Sequence, residues 1–216
     1  MENPLNIILI GASGRLGKEV QDVCHSHSDY RIIEKVTGSS PNLTKLEEAD
    51  VVLDVSTPEA LEKNLPMIAD SGTPLVIGST GHNEEVILKI KEYAKKIPIL
   101  QCSNFAPGIA AIKKMLETLP AAQSVSVSEI HHEEKKDTPS GTAKELASIL
   151  NVPPEKISSK REREVIGDHK VEIELEGEKI EVSHKAISRD VYAKGALNAC
   201  KYIKNKKPGH YDTYHD

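Results

Sequence analysis

Short apolar runs alternate with amphipathic stretches over the first half of the chain. Between the runs, apolar residues such as Leu16, Val20 and Val23 recur at the spacing of one helix face. Continuous apolar runs are typical of strands that are buried on both faces of a parallel sheet. The runs lie at residues 7–10, 32–33, 51–55, 75–77 and 97–100. This alternation predicts an α/β fold with a Rossmann-like, doubly wound parallel sheet.

The hydrophobic pattern changes after Asn104. Helical spacing at 109–119 gives way to a strand that runs toward His131. Farther on, residues 171–182 alternate apolar with charged side chains around Gly177. This alternation predicts a β-hairpin with one face open to water, and therefore a second, smaller α+β domain with a mixed sheet.

The two patterns set the expected domain boundaries. We expect a first domain over residues 1–104 that is completed by residues 190–216, where a last helix runs from about 191 to 203. The second domain is expected over residues 105–189. Residues 151–160, which contain two adjacent prolines, are the nearest thing to a linker.

Composition narrows the functional classes. The 216 residues carry a formal charge of −5, no Trp and a single Phe105, which argues against a nucleic-acid-binding surface. The cysteines, Cys24, Cys102 and Cys200, are odd in number and match no disulfide or metal spacing, as expected in a reducing compartment. The apolar run near the N-terminus is too short for a signal or a membrane span. We therefore expect a cytoplasmic protein without a membrane partner.

A glycine-rich turn follows the first predicted strand and precedes a helix. Gly11, Gly14 and Gly17 form a GxxGxxG pattern, a variant of the dinucleotide-binding fingerprint. Gly11 permits the tight turn, Gly14 allows backbone approach to a pyrophosphate, and Gly17 allows close packing of helix on strand. A tight turn without a ligand is the alternative, but the strand–turn–helix context favours a dinucleotide.

The end of the second strand should carry the residue that reads the ribose. Glu34 is at a suitable distance but falls within the strand, and the strand-end candidates are Lys35, Thr37 and Ser39. Lys35 with nearby hydroxyls favours a 2′-phosphate and hence NADPH, although a solvated surface lysine is an equal alternative. The choice between NADH and NADPH stays open.

The densest candidate chemistry lies at residues 129–143. His131 and His132 end a strand and should point to opposite faces. Residues 140–142 open a helix whose free amides suit a carboxylate, with Thr142 and Glu145 as a possible capping box. Lys135 adds a positive charge. A metal site on the two histidines is disfavoured because no third ligand has suitable spacing.

The segment His-His, Lys, Asp, Pro-Ser-Gly-Thr resembles the substrate-site signature of dihydrodipicolinate reductases. Further motifs of that family are matched in order by Gly-Ser-Thr-Gly at 78–81, Asn-Phe-Ala-Pro-Gly at 104–108, Gly-Asp-His at 167–169, Lys-Gly-Ala at 194–196 and Lys-Pro-Gly-His-Tyr-Asp at 207–212. The chain departs from the family at Ser79 and Ala106, and at Arg163, where the usual pattern after Arg161 has glycine. An acidic residue at the end of the second strand is not evident.

The resemblance implies a role for each matching residue. His131 would be the catalytic acid/base, and Lys135 the proton donor or its electrostatic partner. The substrate carboxylates would be bound by His132, Ser140, Gly141 and Thr142. With the glycine turn and Lys35 included, the expected cofactor-binding residues are Gly11, Ser13, Gly14, Arg15, Leu16, Lys35, Gly78, Ser79, Thr80, Ser103, Asn104 and Phe105.

The implied reaction is NADPH- or NADH-dependent reduction of a cyclic imine dicarboxylate, hydroxy-tetrahydrodipicolinate or dihydrodipicolinate, to tetrahydrodipicolinate. This step belongs to diaminopimelate and lysine biosynthesis, and the family implies a homotetramer. Two other functions are considered. Cys102 could be the acylating thiol of a semialdehyde dehydrogenase, or the chain could be a sensor that binds NADP(H) without turnover.

Overall fold

The computed structural model describes residues 3–38 and 43–214. Contacts within the chain divide it into two compact units. The first comprises Met1–Phe105 with Asp190–Asp216, and the second comprises Ala106–Arg189. Phe105 therefore groups with the first unit.

The first unit is built on a six-stranded sheet in which every pairing is parallel. Its strands are β1 (Leu5–Ile10), β2 (Tyr30–Val36), β3 (Val51–Asp54), β4 (Leu75–Ile77), β5 (Pro98–Gln101) and β10 (Gly209–Tyr211), in the spatial order β10-β5-β4-β3-β1-β2. Its helices are α1 (Arg15–Ser26), α2 (Pro58–Ser71), α3 (Glu84–Tyr93) and α6 (Asp190–Ile203), with a 3₁₀ turn at Leu46–Glu48.

Each face of this sheet carries its own apolar core. Ile7 and Leu9 of β1 face the core that contains α1 and α6, whereas Ile8 and Ile10 face the core that contains α2 and α3. All four side chains are fully buried, which explains why the strand is a continuous apolar run rather than an alternating one. The doubly wound architecture is confirmed.

The second unit carries a four-stranded mixed sheet in the order β7-β6-β8-β9. The β6–β7 pair is parallel, and the β6–β8 and β8–β9 pairs are antiparallel. Its elements are α4 (Pro107–Glu117), β6 (Ser124–His131), α5 (Gly141–Ile149), a 3₁₀ turn (Pro154–Lys156), β7 (Ser158–Arg161), β8 (Asp168–Leu175) and β9 (Glu178–Lys185). A single apolar cluster contains residues of α4, α5 and the sheet. The expected hairpin turns at Gly177, whose φ is +76°.

Two expectations need correction, and one strand was missed. The expected linker at 151–160 contains the start of β7, which pairs with β6. The missed strand is β10, which the hydrophobic pattern did not predict. The capping box of Thr142 and Glu145 is wrong, because Ser140 caps α5 and its hydroxyl accepts from the Ala143 amide at 3.2 Å.

Across the described ranges, helices long and apolar enough to cross a membrane are absent.

Candidate active site and cofactor turn

The glycine turn has the backbone geometry that its sequence predicts. Gly11 has a φ of +86°, and a Cβ there would lie 2.7 Å from the carbonyl carbon of Val55. A Cβ on Gly17 would lie 2.2 Å from the carbonyl oxygen of Gly11, so only glycine allows α1 to pack this closely. Gly14 is the N-cap of α1, and the first turn of that helix carries no acidic side chain. The turn therefore fits a dinucleotide phosphate at the helix N-terminus.

The side chains around this turn differ in exposure. Ser13, Gly14 and Arg15 are exposed, and Leu16 is half-buried against the core beneath α1. The three exposed residues are therefore accessible for contacts with a bound phosphate.

At the end of β2, Lys35 and Thr37 are exposed to solvent. The Glu34 side chain, in contrast, forms hydrogen bonds within the protein. The Glu34 carboxylate accepts from the amides of Thr44 and Lys45, each at 3.1 Å, and from the Thr44 hydroxyl at 2.9 Å. A carboxylate held in this way is not free to bind a ribose diol. Ser39, the third strand-end candidate, lies outside the described residues.

The expected nicotinamide loops follow β4 and β5. Ser79 is buried and its hydroxyl lies 3.2 Å from Nε2 of His82, whereas Thr80 is exposed. The ring of Phe105 is buried beneath Gly78, where a Cβ would lie 2.6 Å from it. Phe105 therefore supports the loop from within the core.

Two polar residues follow β5 with different surroundings. Ser103 and Asn104 are both half-buried, and the Ser103 hydroxyl has no hydrogen-bond partner among the described residues. Cys102 is buried in the apolar core, and its thiol donates to the Asn104 carbonyl at 2.9 Å. This environment does not favour an exposed acylating thiol.

Asp54 is a fully buried carboxyl group at the carboxyl end of β3, which sequence reasoning did not single out. Its Oδ1 accepts from the amide and the hydroxyl of Ser56, at 2.9 and 2.6 Å. Its Oδ2 has no partner within the part of the chain that is described. Burial raises the pKa of Asp54 to about 6, because the two bonds from Ser56 only partly offset the loss of water.

The second unit brings together a histidine, a carboxylate and an arginine. His131 is buried, and its Nδ1 bonds Oε2 of Glu129, which is itself 1% exposed. Oε1 of Glu129 accepts from Nη1 of Arg161 at 2.9 Å. Burial acts to raise the pKa of Glu129, but the bonds from His131 and Arg161 outweigh it and lower the pKa to about 2. Glu129 is therefore an anion at neutral pH.

His169 lies on the other side of this group. It is 2% exposed, its ring packs edge-on against that of His131 at 5.1 Å, and its Nε2 lies 3.4 Å from the Ser140 hydroxyl. His184 follows at 6.3 Å between ring centroids. Burial first, and then the charges of His131 and His184, lower the pKa of His169 to about 3, so it is neutral at physiological pH. His169 is thus an interior residue that connects His131 with the cap of α5.

The loop before α5 holds Lys135 against Asp137, with Nζ and Oδ1 2.8 Å apart. Burial acts to raise the pKa of Asp137, but this bond lowers it, with a further contribution from the Gly141 amide. His132 and Gly141 are half-buried and Thr142 is buried. His131 is buried and His132 is more exposed, as expected for successive side chains on opposite faces.

Among the described residues, no group of three or more His, Cys, Asp and Glu side chains is arranged to hold a metal ion. The residues of this unit that sequence reasoning missed as site residues are Glu129 and Arg161. The spacing of Glu129 and His131 on one strand face was the available signal.

A dinucleotide-type domain and a separate α+β unit with its own acid–base group are the parts of a nicotinamide-dependent reductase. Family models narrow this class. The model described as dihydrodipicolinate reductase, N-terminus, matches residues 5–105, and the model described as dihydrodipicolinate reductase, C-terminus, matches residues 108–215. The chain therefore belongs to the dihydrodipicolinate reductase family, whose members are NAD(P)H-dependent oxidoreductases.

Individual relatives agree with the family models. A 4-hydroxy-tetrahydrodipicolinate reductase of Thermosipho africanus is 38% identical over 213 residues, covering 96% of this chain and 95% of the relative. The enzyme of that name from Bdellovibrio bacteriovorus is 33% identical over 215 residues, covering 96% and 93%.

A solved structure shares the fold. The dipicolinate-bound dihydrodipicolinate reductase of Paenisporosarcina sp. TG-14 superposes with a TM-score of 0.79 at 20% identity, covering 98% of both chains. The family and the fold expected from the sequence are confirmed.

Proposed function

We propose that this chain reduces the cyclic imine dicarboxylate of the diaminopimelate and lysine route to tetrahydrodipicolinate, with NADPH or NADH as the reductant. The observation that carries the proposal is the arrangement of the second unit. A buried histidine is bonded to an anion, and its ring packs on His169, which reaches the Ser140 hydroxyl at the start of α5. Arg161 links the same anion to the loop that carries Lys135. Proton delivery and carboxylate binding need groups of these kinds.

The cofactor would be held by the first unit, at the expected cofactor-binding residues. The amide end of α1 and the glycine turn favour its phosphates. When bound, the reduced nicotinamide supplies the hydride. Lys35 and Thr37 are accessible beside the expected ribose site, whereas Glu34 is engaged by the amides of Thr44 and Lys45. This arrangement favours tolerance of a 2′-phosphate.

The substrate carboxylates would be held by the start of α5 and its loop. The hydrogen-bond donors would be the amides of Gly141 and Thr142 and the ammonium group of Lys135. His132 would be a further contact. Ser140 contributes mainly as the cap that fixes the first turn of the helix. Because Asp137 lies against Lys135 and the Gly141 amide, a bound carboxylate would compete with it for these positive groups.

His131 would hold and deliver the proton, since an imidazole changes charge near neutral pH. Lys135 would supply positive charge close to the reacting ring or act as a second donor. In these roles both His131 and Lys135 would contact the substrate.

We also place the active protein in the cytoplasm as a homotetramer that associates through the second unit. The supporting features are three cysteines without a disulfide and a small apolar cluster that covers a four-stranded sheet. The expected partners are a small dicarboxylate and other copies of this chain, with no nucleic acid or membrane.

The direct test is a coupled assay. Freshly generated cyclic imine dicarboxylate is added with NADPH or NADH, and loss of the reduced nicotinamide absorbance is followed. We expect oxidation that depends on the imine with both cofactors. Tight NADP(H) binding without oxidation would favour the sensor alternative, and acyl-enzyme formation on Cys102 with an aldehyde substrate would favour the dehydrogenase.

A further inference from the structure

The ion pair of buried Glu129 and half-buried Arg161 is absent from the site residues proposed above. We propose that this pair is a positioning unit for catalysis. Glu129 fixes the tautomer and orientation of His131, and Arg161 couples that group to the loop that carries Lys135. The inference deepens the proposed reductase activity and rests on it.

Strand register brings these residues together. Glu129 and His131 are two positions apart on β6, so their side chains share one face. Arg161 on β7 is level with His131, and the Glu162 amide donates to the His131 carbonyl at 2.8 Å. His169 on β8 is level with Glu129 from the opposite side. Regular pairing, rather than a flexible loop, therefore sets the geometry around the His131 ring.

The contact with Glu129 determines which ring nitrogen of His131 is free. An ionised carboxylate can only accept, so Nδ1 of His131 carries hydrogen in this bond. In the neutral ring Nε2 is then the unprotonated nitrogen, and it is the atom left to exchange a proton with a ligand. When His131 is protonated, the same carboxylate stabilises the imidazolium.

Arg161 connects Glu129 to the loop that carries Lys135. While one nitrogen bonds Glu129, Nη2 donates to the Asp137 carbonyl at 2.7 Å and to the Thr138 hydroxyl at 2.8 Å, and Nε donates to the Lys135 carbonyl at 3.3 Å. The guanidinium is rigid and planar, so these bonds lock several groups relative to one another. A lysine at this position cannot make all of them at once.

The charged and titratable groups around His131 are Glu129 on β6, Arg161 on β7, and His169 on β8 with His184 beyond it on β9. Lys135 and Asp137 pair with each other in the loop that Arg161 holds, and Glu145 of α5 pairs with Lys113 of α4. His169 is neutral at physiological pH and adds no charge there. Glu129 is the anion bonded directly to the ring and also pairs with Arg161, whereas Lys135 pairs with Asp137.

The tautomer can be tested on the unmodified protein. Two-dimensional ¹⁵N NMR of the histidine rings reports which nitrogen is protonated, and a His131→Gln sample assigns the His131 signals. We expect neutral His131 in the Nδ1–H form. The Nε2–H form, or a mixture of both, would overturn the proposal. This result does not depend on turnover, so it stays informative even if the coupled assay shows no imine reduction.

The kinetic test of the carboxylate uses Glu129→Gln, with the exposed neighbour Glu133→Gln as the matched control. Glu129→Gln removes the carboxylate that stabilises the protonated ring of His131, so the basic limb of the rate–pH profile should move to lower pH. We expect kcat to fall at least about tenfold with an unchanged KM for the nicotinamide, and wild-type behaviour in the control. A wild-type profile in Glu129→Gln would contradict the role.

The kinetic test of the guanidinium uses Arg161→Lys, with the exposed Arg163→Lys as its control. We expect Arg161→Lys to raise KM for the dicarboxylate several-fold, because the loop carbonyls lose donors, while the pH profile stays in place because a cation still faces Glu129. Unchanged kinetics would remove Arg161 from the unit. If Glu129→Gln does not fold by circular dichroism, this variant and the wild-type tautomer still decide the question.

Discussion

At the scale of single residues, burial and hydrogen bonds together fix the charge of the groups around His131. Glu129 is ionised despite its burial, because His131 and Arg161 bond to it, whereas burial keeps His169 neutral. His131 lies between them, with one nitrogen bonded and the ring edge packed. Such pairs of groups with opposed environments are typical of acid–base sites.

Lys135 is the simplest residue at which to test the proposed site. Lys135→Ala should lower kcat for the imine by about two to four orders of magnitude, because the variant loses a charge or proton donor next to the substrate. Dinucleotide binding, followed by nicotinamide fluorescence, should stay near wild type. Lys136→Ala, an exposed neighbour, is the matched control and should retain activity. Full activity of Lys135→Ala would remove this residue from the site.

Cys102 distinguishes the reductase from a thiol enzyme. Cys102→Ser keeps a donor of similar size toward the Asn104 carbonyl, so we expect most of the reductase activity to remain, with stability lowered by about 1 kcal/mol. The measurements are the coupled assay and urea unfolding. Complete inactivation of a folded Cys102→Ser variant would instead indicate a thiol mechanism.

At the scale of secondary-structure elements, the close approach of α1 to β1 depends on Gly17. Gly17→Ala places a Cβ 2.2 Å from the Gly11 carbonyl oxygen, so we expect loss of dinucleotide binding and lower thermal stability. Gly72→Ala is the control: it adds a Cβ in open space at a φ of +78° at the end of α2. It should cost about 1 kcal/mol and leave binding intact. Equal binding in both variants would show that helix packing is not what the turn requires.

Asp54, at the end of β3, should make the free energy of unfolding depend on pH. Because burial raises the folded-state pKa of Asp54 to about 6, its contribution to stability is present below the ordinary pKa of 3.8 and is lost as pH rises through about 6. This difference corresponds to about 3 kcal/mol. Asp54→Asn should therefore be more stable than wild type by an amount that grows from pH 4 to pH 6 and then levels off.

Urea unfolding of both proteins across this pH range measures the difference. Asp70→Asn, at an exposed position of α2, is the control and should show no such growth. A constant difference between Asp54→Asn and wild type would mean that Asp54 does not retain its proton in the folded state.

Elements also show where sequence reasoning succeeds and where it fails. Strands buried on both faces were evident because Ile7–Ile10 and similar runs can only be interior. β7 was missed because Ser-Ser-Lys-Arg carries no apolar side chain, and it is a strand through its backbone pairing with β6 alone. The bonds of Arg161 to Glu129 and to the loop depend on that same pairing. Short-range patterns therefore predicted His131 and Lys135 as candidate site residues, but did not indicate the residues that bond to them.

At the scale of the whole molecule, the sheet of the second unit ends in an open strand. Within the described residues, β9 pairs with β8 on one side only, and its side chains are half-buried or exposed along its whole length. On β8 and β9 the charged residues Lys170, Glu172, Lys179 and Glu181 pair with one another. Among the described residues, a single apolar cluster covers this small sheet, and its edge strand β9 is open. Association with another copy would stabilise the sheet by covering that edge.

The last prediction is that the protein is a tetramer formed through the second unit. Light scattering at micromolar concentration should give four times the 23.7 kDa chain mass. Hydrogen exchange should locate the contact: the amides of β9 should exchange more slowly in the assembly than after dilution to the dissociated chain. β2, an open edge strand of the first unit, serves as the internal control and should exchange equally in both states. A monomeric mass would contradict the tetramer. Slower exchange on β2 instead of β9 would place the interface on the first unit and contradict assembly through the second.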